Sequence, residues 1–126
     1  MSETKDYITY ADEGGSVSIS EDVLTVIAGG AAAEVEGVYA LYPSYGRDIG
    51  ELLRKKALSR SIRAVVKESS VSFDIFVVAE IGCALAKLGE GIQRAVSEAV
   101  EASIGVKPEA VNVRICGVSL KKAKDK

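Results

Sequence analysis

A chain of 126 residues with 48% hydrophobic content and a formal net charge of -2 has material for one compact domain and lacks the basic excess of a general nucleic-acid binder. It has no histidine and no tryptophan, which removes the commonest general base and the commonest metal ligand, and its two cysteines are too few for a secreted disulfide framework. The opening "MSETKDYITYADEGG" has no apolar run that would serve as a signal peptide, and no eighteen consecutive apolar residues occur; the expectation is a cytoplasmic protein whose membrane association, if any, is peripheral or through a partner.

Residues 1–14 are polar and acidic, with Tyr7, Ile8 and Tyr10 as the only apolar points, and read as a mobile N-terminal tail or a loosely held edge segment. Order is expected from Gly15, where "GSVSIS" alternates Val17 and Ile19 with serines as a half-buried strand does. Ser20 can cap a helix whose first turn holds Glu21 and Asp22, acids that suit the positive end of its dipole. The helix is expected to run to about Val35, with Gly37 as its stop. "VYALY" is a short strand closed by Pro43, followed by the loop-like "PSYGRDIG" and by a short helix over 47–58. "SIRAVVK" and "VSFDIFVVAE" both alternate and form a hairpin across a short polar connection. Leu85, Leu88, Ile92, Val96, Ala99 and Val100 then trace one helical stripe, ended by Gly105 and Pro108. "AVNVRICGVSL" is the last strand, and residues 121–126 are a basic C-terminal tail. The expected class is α+β: one domain over 15–120, a mostly antiparallel sheet of about four to five strands, and two main helices on one face.

The first helix poses the main functional question, because "VIAGGAAAEVEGV" places two glycines where a helix should be continuous. A phosphate loop needs its glycines between a strand and a helix start, where amides are free; Gly29 and Gly30 lie well inside the helix. In projection, Leu24, Ile27, Ala28, Ala31 and Val35 share the face that covers the sheet, while Val26, Gly29, Gly30 and Ala33 gather on the opposite side. A helix apolar on both sides is buried on both, and interior glycines point to close approach by another backbone. Val26, Gly29, Gly30 and Ala33 are therefore the self-association candidates; a contact within the same chain and one with a neighbouring subunit satisfy the pattern equally.

Charge is uneven. Met1–Glu36 carries eight acids against Lys5, a balance of -7, and Ser44–Arg63 carries six bases against Asp48 and Glu51, a balance of +4. Arg47, Arg54, Lys55, Lys56, Arg60 and Arg63 form the candidate partner or anion-binding segment, with RNA or another polyanion as the alternative to an acidic protein surface. Cys83 and Cys116 lack a histidine or third thiol to complete a zinc site and are expected to be small buried packing groups. Asp74 is expected to face solvent from its strand, and no nucleophile has an identifiable base. Neither a catalytic residue nor a cofactor or metal site is expected.

The order of these pieces resembles the alkaline shock protein family of Gram-positive bacteria. The resemblance rests on "GSVSISEDVLTVIAGGAAAEVEGVYAL", "IGELLRKKALSRSIRAVV", "VSFDIFVVAEIG", "IQRAVSEAVEASIGV" and "VNVRICGVSL", which together span most of residues 15–120. It implies a non-catalytic, self-associating scaffold or adaptor in the cell-envelope and general stress response. It further implies a homo-oligomer held in the cytoplasm at the inner face of the membrane by a separate membrane-anchoring protein.

Overall fold

The computed structural model describes residues 7–42, 61–67 and 70–120. Its elements are β1 (Tyr7–Asp12), β2 (Gly15–Ser20), α1 (Glu21–Ala33), β3 (Val38–Leu41), β4 (Ile62–Lys67), β5 (Ser70–Glu80), α2 (Leu85–Ile104) and β6 (Ala110–Ser119). The class is α+β, with a two-stranded antiparallel ribbon, β1–β2, beside a sheet built around β5.

β5 organises the molecule. Its side chains alternate strictly between buried and half-buried, as the period of two requires, and Val71, Phe73, Ile75, Val77 and Ala79 form the centre of the core. Along one edge it pairs antiparallel with β4, from Ile62 opposite Ile75 to Lys67 opposite Ser70, and then with β3, from Val38 opposite Ala79 to Leu41 opposite Val77. The other edge takes β6 in parallel, from Ser72 opposite Ala110 to Glu80 opposite Ser119, with a register shift after Val77. A parallel neighbour needs a long crossover, and α2 supplies it.

α1 begins as the sequence predicts: the Val23 amide donates to Ser20 Oγ at 3.4 Å, a cap that contributes about 1 kcal/mol. α1 lies against β3 and β4, α2 lies against β6, and the two helices pack on each other, so both cover the same face of the sheet. α2 buries Leu88, Ile92, Val96, Val100 and Ile104, one residue per turn. Its entry residue Ala84 offers no side-chain cap; packing of the stripe, with Gln93 Nε2 donating to the Val111 carbonyl at 3.0 Å, holds the helix instead. Gly105 ends it in the left-handed conformation, φ +80°, which glycine adopts without a Cβ penalty.

Three expectations are corrected. The sequence leaves residues 1–14 as a mobile tail or a loosely held edge segment, and the tail reading is corrected for Tyr7–Asp12, a strand that pairs residue for residue with β2. Ile8, opposite Ile19, is fully buried in the core; one apolar residue in a polar segment anchors the ribbon. Val17 is 61% exposed rather than half-buried, because the inward contact of the ribbon comes from Ile8 and Ile19. The buried face of α1 is Leu24, Thr25, Ala28, Gly29 and Ala32, rotated from the projected one because α2 covers a flank that the sheet alone would leave open; Ile27, Ala31 and Val35 border the core. The expected helix over 47–58 and the basic tail over 121–126 lie outside the described residues.

Candidate functional site

The apolar opposite side of α1 divides in the folded chain. Gly29 is buried within its own chain, whereas Val26, Gly30 and Ala33 are exposed. A Cβ added at Gly30 would meet nothing within 4 Å. Val23 and Val26 are 46% and 53% exposed, and at about 100° per residue they fall with Gly30 and Ala33 on the arc diametrically opposite the buried one. The paired glycines thus have separate surroundings: Gly29 belongs to the interior, and Gly30 to an outward apolar face bounded by exposed Asp22 and Glu34. α1 contains no lysine or arginine.

A second surface went unremarked in the sequence. The face of β5 away from the helices carries Ser72, Asp74, Phe76, Val78 and Glu80, all half-buried. Register places Arg63 and Asn112 beside Asp74, and Arg114 beside Phe76. Asp74 stands on the outward face of its strand, as expected, where Asn112 Nδ2 donates to its Oδ1 at 3.0 Å. The Arg114 guanidinium stands 5.9 Å from the Phe76 ring centre. Ala40 and Gly117 flank Val78, and the only atoms near a Cβ added at Gly117 would be those of Val78, at 4.0 Å. The result is a shallow apolar floor of Phe76 and Val78 beside Arg63 and Arg114. The signal was present in "FDIFVVAE", where both faces of the strand turn apolar from Phe76 onward.

An open groove of about 490 Å³ lies between the end of α1 and the start of α2, bordered by Val35, Glu36, Glu80, Cys83 and Lys87. Cys83 is half-buried there, its thiol 4.0 Å from the Gly37 carbonyl. Cys116 is exposed, contrary to the expected burial, because the alternation of β6 puts it with Asn112 and Arg114 on the exposed side of the strand. Among the described residues no three of the Cys, Asp and Glu side chains are placed to hold a metal, and none pairs a nucleophile with a base. Of the basic candidates, Arg63 is on β4 and exposed; Arg47, Arg54, Lys55, Lys56 and Arg60 lie outside the described residues. Among the described residues no helix is long and apolar enough to cross a membrane.

A family model for the alkaline shock protein family, described as having a cell envelope-related function, matches residues 9–120. The protein YloU of Bacillus subtilis (strain 168) is 26% identical over 106 residues, 82% of this chain and 88% of its own. Spy1535 of Streptococcus pyogenes serotype M6 is 31% identical over 109 residues, 86% of this chain and 82% of its own. Among solved structures, a MamM CTD variant superposes with a TM-score of 0.50 at 17% identity, over 79% of this chain and 95% of that one, a likeness of fold alone.

Proposed function

Since the chain belongs to the alkaline shock protein family, whose function is cell envelope-related, we propose that it is a non-catalytic, self-associating scaffold or adaptor of the envelope stress response, working in the cytoplasm beside the membrane through an anchoring partner. The observation that carries this reading is the outward face of α1. A helix on the surface of a finished monomer turns charge toward water, but here Val23, Val26, Gly30 and Ala33 occupy that arc, with Val26 more than half exposed. Contiguous exposed apolar surface of this kind marks association. A non-catalytic role draws support from a sequence without histidine, the commonest general base.

The reading is tested on the purified full chain by sedimentation velocity over a wide range of concentration, together with fractionation of cells that express it. Rising mean mass with concentration, and recovery with the membrane fraction that salt or loss of a partner reverses, are the expected results. A chain that stays monomeric at every concentration reached and never accompanies membranes would overturn it.

A further inference from the structure

We propose that the end of the sheet where β5 and β6 finish docks on an anionic lipid bilayer, with Ile81, Leu85, Val118 and Leu120 entering the interface and the neighbouring lysines meeting the headgroups. This rests on the reading that the chain works beside the membrane and adds a contact made there by its own residues.

The apolar part follows from strand register. Val118 stands opposite Ala79, and Ser119 opposite Glu80. The Ile81 amide donates to the Ser119 carbonyl at 3.0 Å, so the next step along both strands sets Leu120 beside Ile81. Ala79 is buried in the core under the helices, and the period of two puts Ile81, Val118 and Leu120 on that same side of the sheet. α2 begins only at Leu85 and leaves these last residues uncovered. Leu120 is 82% exposed, more than any other large apolar side chain among the described residues, and Ile81, Leu85 and Val118 are exposed with it. Two strand ends and a helix start thus gather their apolar side chains into a cluster, which marks an interaction surface where scattered single residues would not.

Charge names the occupant. From Leu120 the sequence continues into residues 121–126, four lysines against Asp125, and Lys87 is exposed on the same first turn of α2 as Leu85. The acids of this end are set back from the cluster. The Glu80 amide donates to the Gly37 carbonyl on the β3 side, which places Glu36 across β5, and the Glu80 side chain turns to the opposite face of the sheet; Glu90 stands a turn further along α2. A lysine cluster of this size draws a chain to anionic headgroups, and an apolar anchor beside it supplies the second signal that firm membrane contact needs. A second copy fits poorly, because meeting end to end would bring both lysine clusters together. α1 lies against β3 and β4, away from β6, so a chain seated on the bilayer by this end keeps the outward face of α1 available for association.

The chain has no tryptophan, so a tryptophan placed at one position reports on that position alone. Leu120→Trp is compared with Val17→Trp, which lies on the ribbon before α1, a helix length from this end. Each is mixed with vesicles of phosphatidylglycerol and phosphatidylcholine in equal parts, with the same vesicles carrying brominated acyl chains, and with pure phosphatidylcholine vesicles. On the anionic vesicles alone, the emission of Leu120→Trp should shift to the blue and be quenched by bromine, while that of Val17→Trp stays as in water. In co-sedimentation with the anionic vesicles, Ile81→Ser with Leu120→Ser should weaken binding by about tenfold, and Lys121→Gln with Lys122→Gln and Lys124→Gln by about a hundredfold. Circular dichroism confirms that each variant is folded, and Leu120→Ser alone replaces the apolar pair if it is not. Emission of vesicle-bound Leu120→Trp that does not shift, equal binding to neutral vesicles, or binding that survives both sets of replacements overturns the proposal. Loss of self-association by the Leu120→Ser chain without vesicles overturns it too, by assigning the surface to a second copy. A wild type that binds no vesicle at any lipid concentration reached overturns it while leaving the anchoring-partner reading standing, because recovery with the membrane fraction of cells tests that reading separately.

Discussion

The backbone at Gly37 has φ +104°, and a Cβ there would stand 3.1 Å from Leu88 Cδ1, whereas a Cβ at Gly30 would touch nothing within 4 Å. One substitution should therefore have opposite signs at two places in the same sequence stretch. Gly37→Ala is expected to lower stability by about 1–3 kcal/mol through backbone strain and crowding. Gly30→Ala should raise the stability of the dissociated chain by about 0.4–1 kcal/mol, because the helix gains propensity and the unfolded chain loses freedom. Urea denaturation of dilute protein measures both, and a loss of stability at Gly30 would mean that its surroundings in solution are occupied. The cysteines offer a second contrast at this scale. Cys116 is exposed and Cys83 half-buried, so a maleimide should label Cys116 of the native chain at least tenfold faster. Serine at either position is expected to leave association unchanged, since neither thiol lies on the apolar face of α1; loss of association by a folded serine variant would assign that thiol a role.

β5 is the element on which both layers depend, and its two phenylalanines separate their contributions. Phe73 is 1% exposed in the core, so Phe73→Ala should cost about 3–5 kcal/mol. Phe76, on the open face under Arg114, has fewer neighbours to lose, and Phe76→Ala should cost less than half as much in the dissociated chain. Equal costs in denaturation of dilute protein would show that the open face is covered within the chain. The same element explains what the sequence could disclose. α2 was legible from Leu85 to Ile104 because a one-sided stripe and a terminal glycine specify a helix without knowledge of its neighbours. The β4–β5 hairpin was legible from alternation, and Ser20 from cap chemistry. Ile8 was not, because a lone isoleucine among polar residues becomes informative only when its strand finds β2. The burial of Gly29 and the exposure of Gly30 were equally hidden: periodicity gives the angle between two residues, but the position of α2 decides which of them is inside. The open face of β5 was readable in Phe76 and Val78, yet its chemistry depends on Arg63 and Arg114, which only strand register brings alongside.

For the whole molecule the issue is how far charge governs assembly, since acids dominate the N-terminal third and bases the segment from Ser44 to Arg63. In the proposed self-association the outward face of α1 supplies an apolar centre at Val26 and Gly30, and its exposed acids Asp22 and Glu34 are the charges at the rim. Exposed ion pairs contribute about 0.2–1 kcal/mol each, so two of them supply at most about 2 kcal/mol, or roughly 30-fold in affinity. Raising the ionic strength from about 0.1 M to 1 M shortens the screening length from about 10 Å to 3 Å and removes much of that rim contribution. The apolar centre is unaffected or slightly strengthened. Self-association followed by sedimentation across this range should therefore weaken by less than about 30-fold and persist at high salt. A polyanion bound through the basic segment behaves differently, because each neutralised phosphate releases counterions and the affinity falls by orders of magnitude over a smaller change in salt. Complete dissociation at 1 M salt would mean that charge rather than the apolar face of α1 holds the copies together, and the role assigned to Val26 and Gly30 would fall.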